Sequence, residues 1–360
     1  MDDQTIERIK NGVKDSSIGP ETIALMLTRA CNLRCVYCRG DWQACANQEK
    51  LGISDELSLQ ELFELFLDAK ELGVKEINLG GMFGEPFCKA NILLILAKIK
   101  ELGFMGSMTT NGFYLNRKVA EHLTACNWNI VALSLDSSDS YIQETLRPAL
   151  NGESYFERIT EFLQTLDALQ SKVRVLLNVV ITKINYRKLP ELVKLANNYK
   201  SIEAVNVLKL LNKGASNNDF LHLNADELKE FHQMLLALKN EKKIRQINNW
   251  IKINDAEVSH SGITGENEPG SSILFRNSCF TNYYVLSINS NGDIIKCPQQ
   301  PINISGLNIR NTPLRQLWKK EHLLFRERLI KEAACFEECC TILKEQNRLI
   351  HRNLSVAKKN

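Results

Sequence analysis

Thr22-Ile-Ala-Leu-Met-Leu-Thr-Arg-Ala-Cys31-Asn-Leu-Arg-Cys35-Val-Tyr-Cys38 is the stretch on which the fold turns. Ile23 to Leu27 is an apolar run of strand length that ends in a loop carrying three cysteines. Outward from it the chain reads as strand–helix units. Leu59 to Leu72 has helical periodicity and Glu76 to Leu79 is the next strand. Ile92 to Leu102, Arg117 to Ala125, Tyr155 to Leu169 and Leu189 to Asn198 read as helices. Gly106 to Thr110, Val131 to Leu135, Val173 to Thr182 and Ala204 to Leu210 read as the strands between them. Such alternation signals parallel strands joined by helical crossovers. About six units over roughly 190 residues predict an α/β fold with a partial (β/α)6 TIM-like barrel, whose chemistry gathers at the C-terminal ends of the strands.

Around that barrel, residues 22–215, the sequence divides further. Residues 1–21 form an N-terminal helical extension, and 216–272 a helix (Asn224 to Glu241) followed by a Gly-, Ser- and Asn-rich linker. Residues 273–345 form a small second cysteine-bearing domain of β-hairpin plus helices, and 346–360 a basic tail.

Of the 360 residues, 44% are apolar and 24% charged, enough for a large core. A net charge of +3 gives no support for a nucleic-acid or membrane-coating surface. No apolar run reaches the length of a membrane span, and the polar N-terminus has no signal-peptide core. The expectation is a cytoplasmic protein with neither nucleic acid nor membrane as partner. Eleven cysteines in that setting argue for metal or redox chemistry over a disulfide scaffold.

Cys31, Cys35 and Cys38 form a C-x3-C-x2-C motif. Cubane iron–sulfur clusters are held by cysteine thiolates at such spacings, normally four. Three leave one iron open, as catalytic metal sites require. The alternatives are a zinc loop, with Cys45 as a fourth ligand, or three cysteines packed as small apolar side chains.

The wording Cys31-Asn-Leu-Arg-Cys35-Val-Tyr37-Cys38 resembles the radical S-adenosylmethionine (SAM) superfamily, and the resemblance extends over about residues 22–210. It implies a [4Fe–4S] cluster on the three cysteines and SAM bound at its open iron. Gly80-Gly81-Met82-Phe83-Gly84-Glu85-Pro86 resembles the family's Gly-Gly-Glu motif, with Glu85 accepting from the SAM ammonium and the Phe83–Gly84 backbone beside it; Phe83 departs from the usual glycine or threonine. Thr110-Asn111-Gly112 is similar to the family's Thr-Asn-Gly loop. Ser134-Leu135-Asp136 is similar to a strand end whose polar groups face SAM. Arg147 resembles an arginine that contacts the SAM carboxylate. Asn178 and Thr182, with Asn185, stand where family members touch SAM or substrate.

Cys279-x12-Gly292-x4-Cys297 resembles the opening of the auxiliary-cluster modules called SPASM and twitch domains, with Asn291-Gly292 expected as a type I′ hairpin turn. The ending departs from pattern as Cys335-x3-Cys339-Cys340. The resemblance implies one auxiliary [4Fe–4S] cluster on Cys279, Cys297, Cys335 and either Cys339 or Cys340; zinc on the same ligands is the alternative.

Cys126 precedes the fourth strand, away from the catalytic end. Cys45 and Cys88 lie on the catalytic side, where a thiol is a candidate hydrogen-atom donor to a substrate radical; packing is the plainer reading. The resemblance to twitch-type enzymes implies hydrogen-atom abstraction leading to dehydrogenation or epimerisation of a sugar- or aminocyclitol-type small molecule. The alternatives are a maturase acting on a ribosomal peptide and a non-catalytic Fe–S or zinc protein. The short segment before the barrel tilts the expectation to a small molecule, and a flavodoxin or ferredoxin is the expected reductant.

Overall fold

The computed structural model describes residues 18–38, 55–80, 84–210, 219–238, 240–241, 243–245, 284–297 and 300–318. Cys45, Phe83, Cys279, Cys335, Cys339 and Cys340 lie outside these, as do the linker, the basic tail and most of the N-terminal extension.

Six strands alternate with helices: β1 (Thr22–Leu25), β2 (Glu76–Leu79), β3 (Met105–Thr110), β4 (Ile130–Ser134), β5 (Arg174–Ile181) and β6 (Ile202–Lys209). The crossovers are α1 (Leu59–Glu71), α2 (Ile92–Glu101), α3 (Arg117–Ala125), α4 (Ser140–Leu146), α5 (Phe156–Ala168) and α6 (Leu189–Asn197). After them come α7 (Ala225–Ala237), a two-residue strand β7 (Ile244–Arg245), and β8 (Val285–Ile288), β9 (Asp293–Cys297) and β10 (Gln300–Asn308).

Helix α1 shows why these elements form. Ser58 caps it: the Glu61 N–H donates to Ser58 Oγ (3.2 Å) while Ser58 N–H donates to the Glu61 carboxylate (2.7 Å). Its apolar stripe of Leu62, Leu65, Phe66 and Ala69 is buried against the sheet. Along β5, Val175, Leu177, Val179 and Ile181 are buried while the residues between are half-buried, the alternation of a strand with its two faces in different surroundings.

The ten described strands form one sheet in the order β10-β9-β8-β1-β2-β3-β4-β5-β6-β7. From β8 to β7 neighbours run parallel, and the hairpin β8–β9–β10 is antiparallel. β7 and β10 are its two edges, so the sheet is the open, partial barrel expected from the alternation. The C-terminal hairpin continues the barrel sheet, because β8 pairs with β1 in the register Thr22↔Val285 to Leu25↔Ile288.

One local expectation changes, and one helix appears that the sequence pattern does not announce. Asn291 is not among the positive-φ residues, whereas Gly292 has φ +90°. Gly292 N–H donates to Asn289 O (2.9 Å) and Asn289 N–H donates to Asp293 O (2.8 Å). The hairpin therefore turns on three residues with Gly292 as a bulge, where a type I′ turn was expected. Helix α4 gives no periodic signal in the sequence because its buried face includes a polar residue, Gln143, beside Leu146. No described helix is long and apolar enough to cross a membrane.

Candidate functional site

The loops at the C-terminal ends of β1 to β5 meet around the three cysteines. After β1 the chain passes Thr28, Arg29 and Ala30 into Cys31, Cys35 and Cys38, all partly exposed. The cluster loop is anchored from several sides. Leu33 bridges Ala149, and Arg34 and Val36 N–H donate to Pro148 O and Leu146 O (both 2.9 Å).

Glu85 fastens the second and third loops to the first. Its N–H donates to Ala30 O (2.8 Å). Its carboxylate accepts from Thr110 Oγ1 (2.7 Å), Asn111 N–H (2.7 Å) and Phe87 N–H (3.3 Å). Burial pushes the Glu85 carboxyl up to about 7, against the pull of the Asn111, Thr110 and Phe87 hydrogen bonds. Gly84 lies against the cluster loop with φ +82°, where a Cβ would stand 2.0 Å from Thr28 O. The requirement for glycine thus comes from a close approach of two protein backbones.

Asn111 turns its amide to the cysteines: Nδ2 donates to Asn32 Oδ1 (3.0 Å) and lies 3.9 Å from Cys31 Sγ. Asn32 Oδ1 also accepts from Cys88 Sγ (3.8 Å). Cys88 therefore belongs to this corner, at the end of the 3-10 turn Pro86–Cys88.

On the other side stands a second group. Asp136 is buried at the end of β4 and takes Tyr37 OH, Arg147 Nε (2.7 Å) and Val180 N–H (2.9 Å). Arg147 Nη1 lies 3.8 Å from Cys35 Sγ, and its guanidinium sits 5.2 Å from the Tyr37 ring centroid. Gln143 accepts from Asp136 N–H (2.7 Å) and meets Tyr155 OH (3.3 Å), which donates to Arg147 O (3.0 Å). Ser134, half-buried, is level with Asn178 across β4 and β5, and Asn178 Oδ1 accepts from Asn206 Nδ2 (2.9 Å). Thr182 is fully buried; its N–H and Oγ1 are both taken by Asn185 Oδ1 (2.7 and 2.9 Å). Asn185 Nδ2 in turn donates to Asp136 O (2.9 Å). Thr182 and Asn185 fix the turn that carries Asp136.

The fold therefore gathers Cys31, Cys35, Cys38, Tyr37, Gly84, Glu85, Cys88, Asn111, Asp136 and Arg147, with Ser134 and Asn178 below them on the strands. Cys126 is apart, at the end of α3 with Sγ donating to Leu123 O (3.6 Å). Cys297 ends β9. Asn32 is a site residue that the motifs do not single out, although it stands inside the cysteine run.

These residues fit a cluster held by three thiolates. Asn32 Nδ2 is buried with no hydrogen-bond partner among the described residues, a donor beside Cys31 that an acceptor at the cysteines would satisfy. Burial pushes the Cys35 thiol up to about 11, and raises Cys31 further. A metal that takes the sulfur charge reverses that cost. No three His, Cys, Asp or Glu side chains converge on one ion among the described residues. A cubane does not ask for such convergence, since each thiolate binds its own iron.

Residues 25–196 match the family model of the radical SAM superfamily. They form a radical SAM domain. A radical SAM enzyme works with a [4Fe–4S] cluster and SAM. Similarity to other proteins extends past this domain. The mycofactocin maturase MftC of Mycolicibacterium smegmatis is 25% identical over 300 residues, 82% of this chain and 68% of the relative. The AdoMet-dependent heme synthase of Methanosarcina barkeri is 24% identical over 303 residues, 83% of this chain and 82% of the relative. Among solved structures, Streptococcus suis SuiB bound to precursor peptide SuiA shares the fold with a TM-score of 0.64 at 20% identity, covering 94% of this chain and 74% of SuiB.

When bound, the cluster and SAM together supply the electron transfer and the 5′-deoxyadenosyl radical that takes a hydrogen atom from a substrate. What this chain contributes is placement. Cys31, Cys35 and Cys38 would hold the cluster, and Asn32 and Asn111 present N–H groups next to it. Glu85 holds the loops after β1, β2 and β3 together. Arg147 and Asp136 form a buried, mutually neutralising pair beside Cys35.

Proposed function

We propose that this radical SAM enzyme is a maturase that abstracts a hydrogen atom from a ribosomally made peptide, giving epimerisation or a crosslink. The observation that carries the reading is the open sheet. Among the described residues β7 and β10 are separate edges, so the described strands do not close into a barrel around their cysteine end, an arrangement compatible with a substrate as extended as a peptide. The likeness to SuiB, solved with its precursor peptide, runs through 94% of the chain and supports the same reading. The sugar- or aminocyclitol-type substrate, expected from resemblance to twitch-type enzymes and favoured over a peptide by the shortness of the segment before the barrel, gains no support from the described fold.

Tyr37, Gly84, Glu85, Asn111, Ser134, Asp136, Arg147 and Asn178 form the SAM- and substrate-facing side, with Glu85 receiving the SAM ammonium. Cys279, Cys297, Cys335 and one of Cys339 and Cys340 hold a single auxiliary [4Fe–4S] cluster that exchanges an electron with the substrate radical. A flavodoxin- or ferredoxin-type protein reduces the SAM cluster. Cys88, at the cysteine corner, is the hydrogen-atom donor if the product is an epimer. A small-molecule substrate is the second reading, favoured by the heme synthase relative, which aligns over 83% of this chain.

Anaerobic incubation of the reconstituted protein with SAM and dithionite tests the chemistry. Wild type should release 5′-deoxyadenosine, and Cys31→Ala/Cys35→Ala/Cys38→Ala should release none. Peptides encoded beside the gene, offered in deuterated water, test the substrate. Mass loss or deuterium uptake in the peptide supports the maturase reading. Deoxyadenosine release with every such peptide unchanged would overturn it in favour of a small molecule.

A further inference from the structure

Outside the gathered site, one secluded charge pair joins the loop after β1 to the loop after β2. Glu56 lies just ahead of α1, and Lys89 follows the turn Pro86–Cys88. Their side chains are 5% and 13% exposed, with Lys89 Nζ 3.0 Å from Glu56 Oε2. Lys89 Nζ also donates to Leu57 O (2.9 Å). The other carboxylate oxygen, Glu56 Oε1, accepts from the backbone N–H of Arg29 (2.9 Å), two residues before Cys31. On the next residue, Ala30 O takes the Glu85 N–H (2.8 Å) and Ala30 N–H donates to Thr28 Oγ1 (3.0 Å). Arg29 and Ala30 are therefore gripped by Glu56 on one side and by Glu85 on the other. The backbone of Glu56 is itself held by Arg310, whose Nη2 donates to Glu56 O (3.3 Å) from beyond β10.

Removing an ion pair from water costs about as much as the pair returns, so stability alone is a weak reason for it. Its geometry supplies another: Lys89 orients Glu56, and Glu56 fixes the backbone that delivers Cys31. We propose that Glu56 and Lys89 are positioning residues for the SAM cluster, setting the place of Cys31 relative to Glu85 and through it the binding of SAM. They touch no reacting atom and act through the Arg29–Ala30 backbone.

Full-length Glu56→Ala, Lys89→Met and Lys89→Arg test this with two readouts. In the metal-free protein, hydrogen exchange of the peptide covering residues 26–34 reports the loop directly. In the reconstituted protein, the SAM dissociation constant and the SAM-induced change in the electron paramagnetic resonance spectrum of the reduced cluster report the site. Glu56→Ala and Lys89→Met should exchange faster in that peptide and bind SAM about tenfold more weakly, as partners behind metal ligands do. Lys89→Arg should restore both. Wild-type exchange and wild-type SAM affinity in both disrupting variants, with only the melting temperature lowered, would overturn the proposal. Where Glu56→Ala does not fold, Lys89→Met and Lys89→Arg decide alone. The proposal stands if Met loosens the loop and weakens SAM binding while Arg restores both, and it falls if the two behave alike.

Discussion

Arg147 lies along Asp136, its Nε 2.7 Å from Oδ2 and its Nη2 3.4 Å from Oδ1, and the Asp136 side chain is wholly hidden from water. The pair joins the segment after α4 to the end of β4 and reaches the cluster loop through Tyr37 and Cys35. By resemblance alone the two residues are separate contacts to SAM. In the fold each is first the partner of the other.

Arg147→Met should therefore leave a buried carboxylate without its counter-charge, costing about 3–5 kcal/mol. Arg147→Met/Asp136→Asn should be less destabilised than Arg147→Met alone, because no uncompensated charge remains. Urea denaturation of the metal-free proteins checks both. Equal losses in the single and double variants would mean that packing, not charge, dominates there.

Gly84→Ala should fail at the cluster loop. Its Cβ would stand 2.0 Å from Thr28 O at a backbone φ of +82°, so the loop or the Gly84 turn must move. Iron loading at the SAM site should fall, and deoxyadenosine release with it. Wild-type loading in this variant would show that the two backbones separate at little cost.

The Glu85 carboxyl makes stability depend on pH in a stated direction. Burial raises its folded pKa to about 7, above its ordinary 4.5. Its contribution is fully present below pH 4.5 and is lost as pH rises through about 7, where the fold must hold a charged carboxylate. Glu85→Gln is neutral throughout. From about pH 5 to about pH 8 the wild-type metal-free protein should lose stability relative to Glu85→Gln, on the order of 2–3 kcal/mol. Parallel pH profiles would show that the Thr110, Asn111 and Phe87 hydrogen bonds already offset the burial.

Cys297→Ser should separate the two cysteine groups. Cys297 ends β9, in the sheet extension beside β1, rather than in the cluster loop. Iron should fall from about eight to about four per chain, four for each cubane. Deoxyadenosine release should persist while turnover of the true substrate is lost. Unchanged iron would remove Cys297 from the auxiliary site.

The alternation of strands and helices from Thr22 to Lys209 was legible because each element repeats an apolar period that one buried face demands. Strand ends fell within about two residues of the structure, the scatter that fraying element ends give. Helix α4 was not legible, as Gln143 is buried for its hydrogen bonds to Asp136 and Tyr155 and breaks the apolar period. The hairpin was legible but its turn type was not, because Asn-Gly suits both a type I′ turn and a glycine bulge.

By itself the sequence determined the residue types and their order along the chain: three cysteines after a strand, a glutamate, an asparagine and an aspartate at successive strand ends. Those features are local, set by spacing within one loop or one period. Only the tertiary structure decided what each side chain is bonded to. Glu56 meets Arg29 and Lys89, Asp136 meets Arg147 and Val180, and Glu85 meets Thr110, across separations from 11 to 44 residues. A buried polar group must find a partner, and which partner it finds depends on which loops the sheet order places side by side.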